Sequence, residues 1–290
     1  MESSDGGNLN GLMATDTILI LGASGKSGRR VAARLRLRGV ATRLASRSSP
    51  TPFDWSDPTG WDAALDGATA VYMVAPATVG PADEFVASAQ SAGVRRVVLL
   101  SGRGADSWGD STFGLDMRAA ESAVRSSALE WTVLRPNNFA QNFDEDLFLA
   151  PLRSGELALP AGETPEPFID LEDVADVAAE VLTRPSGHIG ATYELTGPDA
   201  LTFGTAVEMI SRASGQFITY KQISAAEYTA LLVEQGVDAQ DAEHVTEMFV
   251  LMENGSLATT TDTVASVLGR PPRSFQDYVL RTAATGVWSR

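Results

Sequence analysis

The chain has 290 residues, of which 44% are hydrophobic and 20% charged, values that are ordinary for a folded globular protein. Its formal charge is −15, which opposes binding to the phosphate backbone of nucleic acids. Cysteine is absent and only His188 and His244 are present, so the sequence excludes disulfides and a histidine-rich metal site, and we expect no bound metal. No apolar run reaches the roughly 18 residues of a membrane span. We therefore expect a cytoplasmic protein that binds neither nucleic acid nor membrane.

The first predicted elements are a buried strand and an amphipathic helix. Residues 1–14 lack the basic start and continuous apolar stretch of a secretory signal, and we expect them to form a flexible leader. The run TILIL at 17–21 is typical of a strand buried on both faces of a parallel sheet. Apolar residues at helical spacing predict a helix over 26–38, which ends at Gly39. Its arginines are expected to be solvated: Arg29, Arg30, Arg34, Arg36 and Arg38.

A glycine-rich loop, GASGKSG, joins this strand to this helix. Three glycines so spaced meet the needs of a dinucleotide pyrophosphate: one permits a tight turn, one lets the backbone approach phosphate, and one lets helix pack on strand. The N-terminal end of the helix adds free N–H groups that attract an anion. We therefore predict a phosphate-binding loop rather than a merely structural turn, with contacts at Gly22, Ser24, Gly25, Lys26, Ser27 and Gly28.

The end of the second predicted strand, 41–46, indicates which dinucleotide is bound. An acidic residue about 20 positions past the loop would bind the ribose of NAD, whereas an arginine would bind the 2′-phosphate of NADP. No Asp or Glu occurs at 40–53, and Arg47 follows the strand directly. Because an arginine forms bidentate pairs with phosphate, NADP(H) is favoured. The alternative is that Arg47 is one more solvated arginine.

Two further segments are candidates for cofactor contacts. FDWSDP at 53–58 is predicted to be a short strand ending in a turn. There, Asp54 is a candidate acceptor for the adenine amino group with Trp55 packed nearby, while a plain turn cap is an equal alternative for Asp54. The strand predicted over 69–75 ends at Ala75 and Pro76, whose backbone would then face the ribose of the cofactor.

Strands and helices alternate through the first half of the chain, which is typical of right-handed βαβ units. Further strands are predicted over 95–100 and 131–135, with helices over 81–92 and 115–127. We expect an α/β fold, with a Rossmann-type doubly wound parallel sheet that binds NADP(H). The predicted division is a Rossmann domain over 15–150, to which 170–195 return, and a smaller C-terminal α/β lobe over 151–290 that binds substrate.

Several segments together resemble the NmrA-like branch of the atypical short-chain dehydrogenases/reductases. They are GASGKSG at 22–28, SRS at 46–48, FDWSDP at 53–58, VYMVAP at 71–76, AESAVRSSALEWTVLRPNNFAQNF at 120–143 and LGRPPRSFQDYV at 268–279. The resemblance implies NADP(H) binding, a C-terminal substrate lobe, and a turn of Pro136, Asn137 and Asn138 beside the nicotinamide. Members of that family include quinone and azo reductases, ketoreductases of aromatic polyketides, and redox sensors without known turnover.

The chain departs from the wider superfamily at the catalytic acid. Active short-chain enzymes have Tyr-x-x-x-Lys on the helix after the fifth strand, where the phenol protonates a carbonyl oxygen. The corresponding segment is FGLDMR, with Gly114 four residues before Arg118, and no tyrosine occurs between Tyr72 and Tyr193. Arg118 is a candidate for the position of the lysine, but this helix offers no phenol.

The remaining catalytic candidates are Ser101 and Asn138. Ser101 ends a predicted strand, where a hydroxyl would orient substrate, although a helix cap is an equal alternative. The Asn138 amide is expected to donate to substrate or to the carboxamide of the cofactor. In the loop after Ser101, Trp108 is a candidate to stack on an aromatic substrate. The charged residues of that loop are expected to be mainly solvated: Arg103, Asp106 and Asp110.

Two functions agree with these features. The first is an NADPH-dependent reductase that transfers hydride to a carbonyl or quinone of a small aromatic, polyketide-like molecule, with the proton supplied by water or by the substrate. The alternative is a non-catalytic NADP(H)-binding redox sensor that acts through a protein partner. The same glycine loop serves both. A homodimer is one assembly to be tested.

Overall fold

The computed structural model describes residues 16–108, 111 and 113–289. The expected leader at 1–14 and the loop residue Asp110 lie outside these residues. Within them, no helix is both long enough and apolar enough to cross a membrane.

In the described part of the chain, seven strands form one parallel sheet, and two more form a small parallel sheet. In chain order the strands are β1 (Thr17–Leu21), β2 (Ala41–Ser46), β3 (Thr51–Pro52), β4 (Ala70–Val74), β5 (Arg96–Leu100), β6 (Glu130–Pro136), β7 (Glu156–Leu159), β8 (Ala191–Leu195) and β9 (Thr219–Gln222). The large sheet has the order β3-β2-β1-β4-β5-β6-β8, and β7 pairs with β9. The chain thus builds outward from β1 in one direction and then from β4 in the other, which is the doubly wound, Rossmann-type arrangement.

The described residues also contain eleven α-helices. They are α1 (Lys26–Leu37), α2 (Trp61–Leu65), α3 (Pro81–Ser91), α4 (Leu115–Ser126), α5 (Leu149–Ser154), α6 (Leu171–Thr183), α7 (Phe203–Ser214), α8 (Ala225–Glu234), α9 (Ala239–Met252), α10 (Thr263–Leu268) and α11 (Phe275–Ala283). Helices α1, α6 and α10 pack on one face of the large sheet, and α2, α3 and α4 pack on the other. Because both faces are covered, strands such as β5 are apolar and buried along their whole length.

The chain leaves the large sheet after β6 and returns to it with α6 and β8. Strand β8 pairs with β6 in parallel, with Leu195 opposite Pro136. The other elements beyond β6, apart from α10, surround a second core that includes Phe143, Phe168 and Phe203. The Phe168 ring centroid lies 5.3 Å from that of Phe143 and 5.1 Å from that of Phe203. This aromatic cluster anchors the C-terminal elements beside the carboxyl end of the sheet.

The expectation that all arginines of α1 are solvated is wrong. Arg30 donates through Nε to Glu172 Oε1 at 2.8 Å, and Arg34 pairs with both Glu172 and Asp176 of α6. Arg38 pairs with Glu180 at 3.0 Å. These acidic partners are more than 130 residues away in sequence. The helical spacing of α1 places its arginines on the polar face of the helix, but it contains no information that α6 covers that face.

Candidate active site

The glycine loop lies at the carboxyl end of β1, between β2 and β4, where the direction of strand order reverses. Ligands of doubly wound sheets bind in the crevice at this point. Gly22 has a φ of +63°, a conformation that glycine adopts at little cost. The Gly25 N–H donates to the Gly22 carbonyl at 2.8 Å and closes the turn.

The three glycines differ in what a side chain would meet. A Cβ at Gly28 would lie 2.2 Å from the Gly22 carbonyl oxygen, so this position must be glycine for helix and strand to pack. A Cβ at Gly25 would lie 3.1 Å from the same oxygen, and Gly25 is otherwise exposed. Gly25 is also the N-cap of α1, with no side chain capping the first N–H groups. An exposed, uncapped helix start without a nearby Cβ fits the pyrophosphate of a dinucleotide.

The other residues of this loop differ in exposure. Ser24 is exposed, whereas Ser27 is buried. The Lys26 ammonium donates to Asn142 Oδ1 and pairs with Asp146 Oδ2, each at 2.7 Å. It also lies 5.8 Å from the centroid of the Phe139 ring. Lys26 therefore joins the glycine loop to the segment that follows β6.

Arg47 lies exposed after β2, and among the described residues its guanidinium has no hydrogen-bond or ion-pair partner. The serines beside it bond to each other, with Ser46 Oγ 2.6 Å from Ser49 Oγ. Asp54 Oδ1 accepts from the Ser56 N–H at 2.9 Å and the Ser56 hydroxyl at 2.7 Å, and these bonds lower the pKa of Asp54. Asp54 therefore caps this turn, which is one of the two roles that the sequence allowed for it.

Trp55 contributes to an aromatic cluster at the edge of the sheet. Its ring centroid lies 5.0 Å from that of Phe53 and 5.3 Å from that of Phe85. The rings meet edge to face, an arrangement that aromatic quadrupoles favour. Trp55 is half-buried, and we keep it as a candidate for packing near the adenine.

A cleft of about 320 Å³ opens where β4, β5 and β6 end, between the large sheet and the C-terminal elements. The predicted residues at its wall are Lys26, Ala75, Ser101, Trp108, Pro136, Asn137 and Asn138. Arg47, Asp54 and Trp55 do not line it. Pro76 is buried just beyond Ala75. From the C-terminal elements, α9 contributes Met248 and Met252 to the opposite side. The described lining includes no tyrosine and no histidine.

The Ser101 hydroxyl donates a hydrogen bond to a buried carboxylate, that of Glu121. Its Oγ lies 2.7 Å from Glu121 Oε1, and Glu121 also accepts from Arg135 at 2.8 Å and 2.6 Å. Burial opposes ionisation of Glu121, but the bonds from Arg135 and Ser101 keep its pKa below the usual value. The Ser101 hydroxyl is therefore oriented to accept a hydrogen bond from the cleft and not to donate one.

Asn137 and Asn138 share a second buried carboxylate, Glu166. Their Nδ2 atoms lie 2.6 Å and 3.1 Å from Glu166 Oε2, and Asn138 Nδ2 is also 3.5 Å from Met252 Sδ. Glu166 is 1% exposed and its Oε1 has no partner among the described residues. Burial raises the pKa of Glu166 to about 7, against the bonds from the two amides. Since the Asn138 Nδ2 is occupied, its Oδ1 is the atom left to bind cofactor or substrate, as an acceptor instead of the expected donor.

The loop after Ser101 differs from the expectation at two residues. Arg103 was expected to be solvated but is 5% exposed. Its Nη1 donates to the carbonyls of Leu257 at 3.0 Å and Thr259 at 2.6 Å, and its Nε pairs with Glu194 at 3.0 Å. These partners are at least 91 residues away in sequence, beyond the reach of local patterns. Asp106 is exposed and pairs with Arg135, so it is not free in solvent either.

The structure also gives a reason for the missing phenol. Gly114 has a φ of +80°, and a Cβ there would lie 2.7 Å from Trp108 Cε3. The indole of Trp108 thus occupies the space that a side chain at 114 would need. Arg118 donates to the carbonyls of Ala105 at 3.2 Å and Ser111 at 2.9 Å, and so holds the loop.

Sequence reasoning missed the two buried carboxylates, Glu121 and Glu166, and the cleft residue Asp116. A signal for Glu121 was present: Arg135 lies within an apolar strand, and a buried arginine requires an acidic partner. The adjacent pair Asn137 and Asn138 was a weaker signal for a shared acceptor. No pattern identified Asp116, which stands in the first turn of α4 like many solvated helix residues.

Comparisons with known proteins identify the family. The NAD(P)H-binding family matches residues 22–185. The uncharacterized oxidoreductase YesF of Bacillus subtilis is 32% identical over 292 residues, covering 96% of this chain and 100% of that protein. The NAD(P)H azoreductase of Xenophilus azovorans is 30% identical over 257 residues, covering 87% of this chain and 86% of that protein.

A solved structure with the same fold is the NADPH-dependent quinone oxidoreductase QOR2 of Escherichia coli, complexed with NADPH. Its TM-score is 0.78 at 22% identity, covering 91% of this chain and 99% of that chain. The resemblance noted in the sequence is thereby confirmed. The chain belongs to the NAD(P)H-binding family, as its NmrA-like resemblance implies, and its cofactor is NAD(P)H.

Proposed function

We propose that this protein is an NADPH-dependent reductase that transfers a hydride to a carbonyl or quinone of a small aromatic molecule. The observation that carries the proposal is the cleft at the ends of β4, β5 and β6, which opens beside the glycine loop and whose described lining has aromatic and thioether side chains but no tyrosine. Quinone and azo reductases among the relatives support an aromatic acceptor.

The chain's own residues would hold the cofactor from one side. The N–H groups at the start of α1 bind the pyrophosphate, Gly25 leaves room for it, and Arg47 pairs with the 2′-phosphate. Asn138 Oδ1 accepts from the carboxamide, an orientation fixed by the bond from Asn138 to Glu166. Bound NADPH supplies a hydride. Trp108 and Met252 exclude water from the apolar end of the cleft and position a flat acceptor there.

These residues offer no strong acid to the substrate. Ser101 already donates to Glu121, whose pKa is lowered, so its oxygen can accept from a hydroxyl of the substrate, but Ser101 does not protonate the substrate. An acceptor that delocalises negative charge, such as a quinone or an internally hydrogen-bonded ketone, is then reduced with its proton taken from water or from its own hydroxyl.

The test is oxidation of NADPH by the purified protein in stopped flow, against a panel of quinones and polyphenolic ketones. We expect oxidation with several of these acceptors and none with a simple aliphatic ketone. Gly25→Val, which blocks the phosphate loop, is the matched inactive control. If no acceptor in the panel oxidises NADPH although NADPH binds, the protein is a sensor of the cofactor and not a reductase.

A further inference from the structure

The described lining of the cleft has several side-chain hydrogen-bond donors, and most of them already have an acceptor. Ser101 donates to Glu121, and Asn137 and Asn138 donate to Glu166. Both carboxylates are buried, so these donors are held by the interior of the protein. None of the three is therefore ready to donate to an oxygen of the substrate.

Two other donors of the lining are closed off. The Arg103 guanidinium is buried and bonds to Glu194 and to backbone carbonyls. The Nε1 atom of Trp108 has no acceptor among the described residues, but it is buried. A Cβ at Gly104 would lie 2.7 Å from this nitrogen, so the backbone of Gly104 covers it.

The ammonium of Lys26 and the amide of Asn142 are the side-chain donors that remain in the described lining. Lys26 Nζ donates to Asn142 Oδ1 and to Asp146 Oδ2, each at 2.7 Å, which occupies two of its three N–H groups. Because Asn142 accepts through Oδ1, its Nδ2 group is turned away from Lys26 and has no acceptor among the described residues. Lys26 Nζ also lies 5.8 Å from the ring centroid of Phe139, another lining residue. Two adjacent donors, one of them charged, thus border the same part of the cleft.

The charges of the cleft differ between its two sides. Lys26 begins α1 and Asp116 lies in the first turn of α4, and these helices cover opposite faces of the large sheet. The side chain of Asp146, which pairs with Lys26, is 60% exposed, whereas that of Lys26 is 23% exposed. Because solvent screens an exposed charge, Asp146 neutralises Lys26 only in part. The side of the cleft at Lys26 and Asn142 therefore attracts a negative oxygen.

We propose that Lys26 and Asn142 form an oxyanion-binding pair, which stabilises the negative charge that develops on the oxygen of the hydride acceptor. The backbone of the glycine loop then binds the cofactor, and the Lys26 side chain acts on the substrate. The pair favours acceptors whose reducible group ends in oxygen, namely quinones and conjugated ketones. The proposal rests on the proposed reductase function for its chemical step, whereas binding of an oxyanion is measurable without turnover.

The role of the pair follows from the electron balance of the reaction. The hydride forms a C–H bond at the electrophilic carbon, and the π electrons of the C=O bond move to oxygen. The acceptor gains two electrons, NADPH is oxidised to NADP⁺, and water protonates the oxyanion afterwards. Donors that are already fixed in place stabilise such a charge without reorganisation. The bond from Lys26 to Asn142 provides this fixation, because it orients the amide.

The decisive measurement is equilibrium binding of an oxyanion to the protein in complex with NADP⁺, so that no turnover occurs. The probes are 4-nitrophenol, at a pH at which it is ionised, and its neutral methyl ether, 4-nitroanisole. Lys26→Met removes the ammonium and keeps a long side chain, and Lys221→Met, at the exposed second lysine of the sequence, is the matched control. We expect Lys26→Met to weaken binding of the anion about tenfold, Asn142→Leu to weaken it about threefold, and neither to change binding of the ether.

Cofactor binding and folding are controlled separately. The affinity for NADP⁺ and the thermal midpoint are measured for every variant, and the probes are titrated at saturating NADP⁺. Lys26→Arg, which keeps the positive charge, should retain most of the anion binding, and Asn142→Leu carries the test if Lys26→Met folds poorly. Equal loss of both probes in the variants at 26 and 142, equal loss of the anion in Lys221→Met, or no binding of the anion by the wild type would overturn the proposal.

Turnover separates this inference from the proposed function. With NADPH, we expect the kcat of Lys26→Met for a quinone to fall about a hundredfold, with a smaller change in KM, as for the loss of one oxyanion donor. If the wild type reduces quinones while the kcat and the anion binding of Lys26→Met are unchanged, the inference fails and the reductase stands. If no acceptor is reduced but anion binding still depends on Lys26, the reductase proposal fails and the oxyanion site stands.

Discussion

Arg47 is the residue on which the choice between NADPH and NADH depends. It forms no hydrogen bond or ion pair among the described residues, although its charge acts on Asp54, and no carboxylate at 40–53 competes for the ribose. We expect NADPH to bind at least tenfold more tightly than NADH, a difference of about 1.4 kcal/mol, and Arg47→Ala to remove this preference. Fluorescence titration of both cofactors measures it. Arg36→Ala, at an exposed arginine on α1, is the control that should keep the preference. Equal affinities in the wild type would contradict the assignment.

Glu166 makes the stability of the protein depend on pH in a predictable direction. Burial raises its pKa from 4.5 to about 7, so the fold favours the protonated form. The contribution of Glu166 to the free energy of unfolding is therefore fully present below about pH 4.5 and is lost as the pH rises through about 7. The shift corresponds to at most about 3 kcal/mol. Arg103 is the nearby positive charge that limits this shift.

The substitution Glu166→Gln keeps an acceptor for Asn137 and Asn138 but cannot ionise. We expect it to raise the thermal midpoint relative to wild type at about pH 8 and to have little effect at about pH 4.5. Thermal unfolding followed by circular dichroism at both pH values measures the difference. Parallel pH profiles of the two proteins would show that Glu166 is already ionised at neutral pH.

In the unit formed by β1, the glycine loop and α1, substitutions at Gly25 and Gly28 should have different effects. Gly25→Val should abolish cofactor binding and leave the thermal transition of the apo protein largely in place, because a Cβ there meets one carbonyl at 3.1 Å. Gly28→Ala should lower the thermal midpoint of the apo protein strongly, because its Cβ would overlap the Gly22 carbonyl at 2.2 Å. Calorimetry and an NADPH titration on both variants separate the effects. Normal NADPH binding by Gly25→Val would mean that the loop is only a turn.

The same element shows how much of the fold could be predicted from the sequence. Strand β1, the loop and α1 have strong local patterns, namely an apolar run, spaced glycines and a helical period, so their existence and order were predictable. The short pair β7 and β9 was not predicted, because its strands are four residues each and pair across an intervening stretch that contains α6 and β8. Local periodicity carries little information on such pairings.

In the candidate site, too, local motifs were predictable and contacts between distant residues were not. The glycine loop and the turn at 136–138 were found from their motifs, whereas the bonds that fix the chemistry of the site were not. Ser101 meets Glu121, and Asn138 meets Glu166, across 20 and 28 residues of chain. Whether a hydroxyl or an amide donates or accepts is decided by these partners, and folding alone brings the partners together.

Over the whole molecule, the proposed hydride transfer would depend on two parts of the structure that meet at the cleft. The sheet supplies Ser101 and Asn138, and the C-terminal elements supply Met248 and Met252. Holding the hydride donor and acceptor in contact can lower a barrier by ~7 kcal/mol or more without an acid. Rate should therefore depend more on this positioning than on any one polar side chain.

Removal of either polar group of the cleft, Ser101 or Asn138, should therefore have a small effect on turnover. Ser101→Ala and Asn138→Ala should each lower turnover of a hydroxyquinone on the order of tenfold, because Ser101 would no longer accept from the substrate hydroxyl and Asn138 would no longer accept from the carboxamide of the cofactor. In the first variant Glu121 keeps Arg135 as its partner, so the fold should survive. Steady-state kinetics on a quinone and on an unactivated ketone provide the measurement, with thermal midpoints as the control. A loss of ~10⁴ in Ser101→Ala would reveal that Ser101 is a general acid despite its bond to Glu121. Brisk reduction of the unactivated ketone by the wild type would show that the cleft supplies a proton, because that substrate cannot delocalise the charge itself.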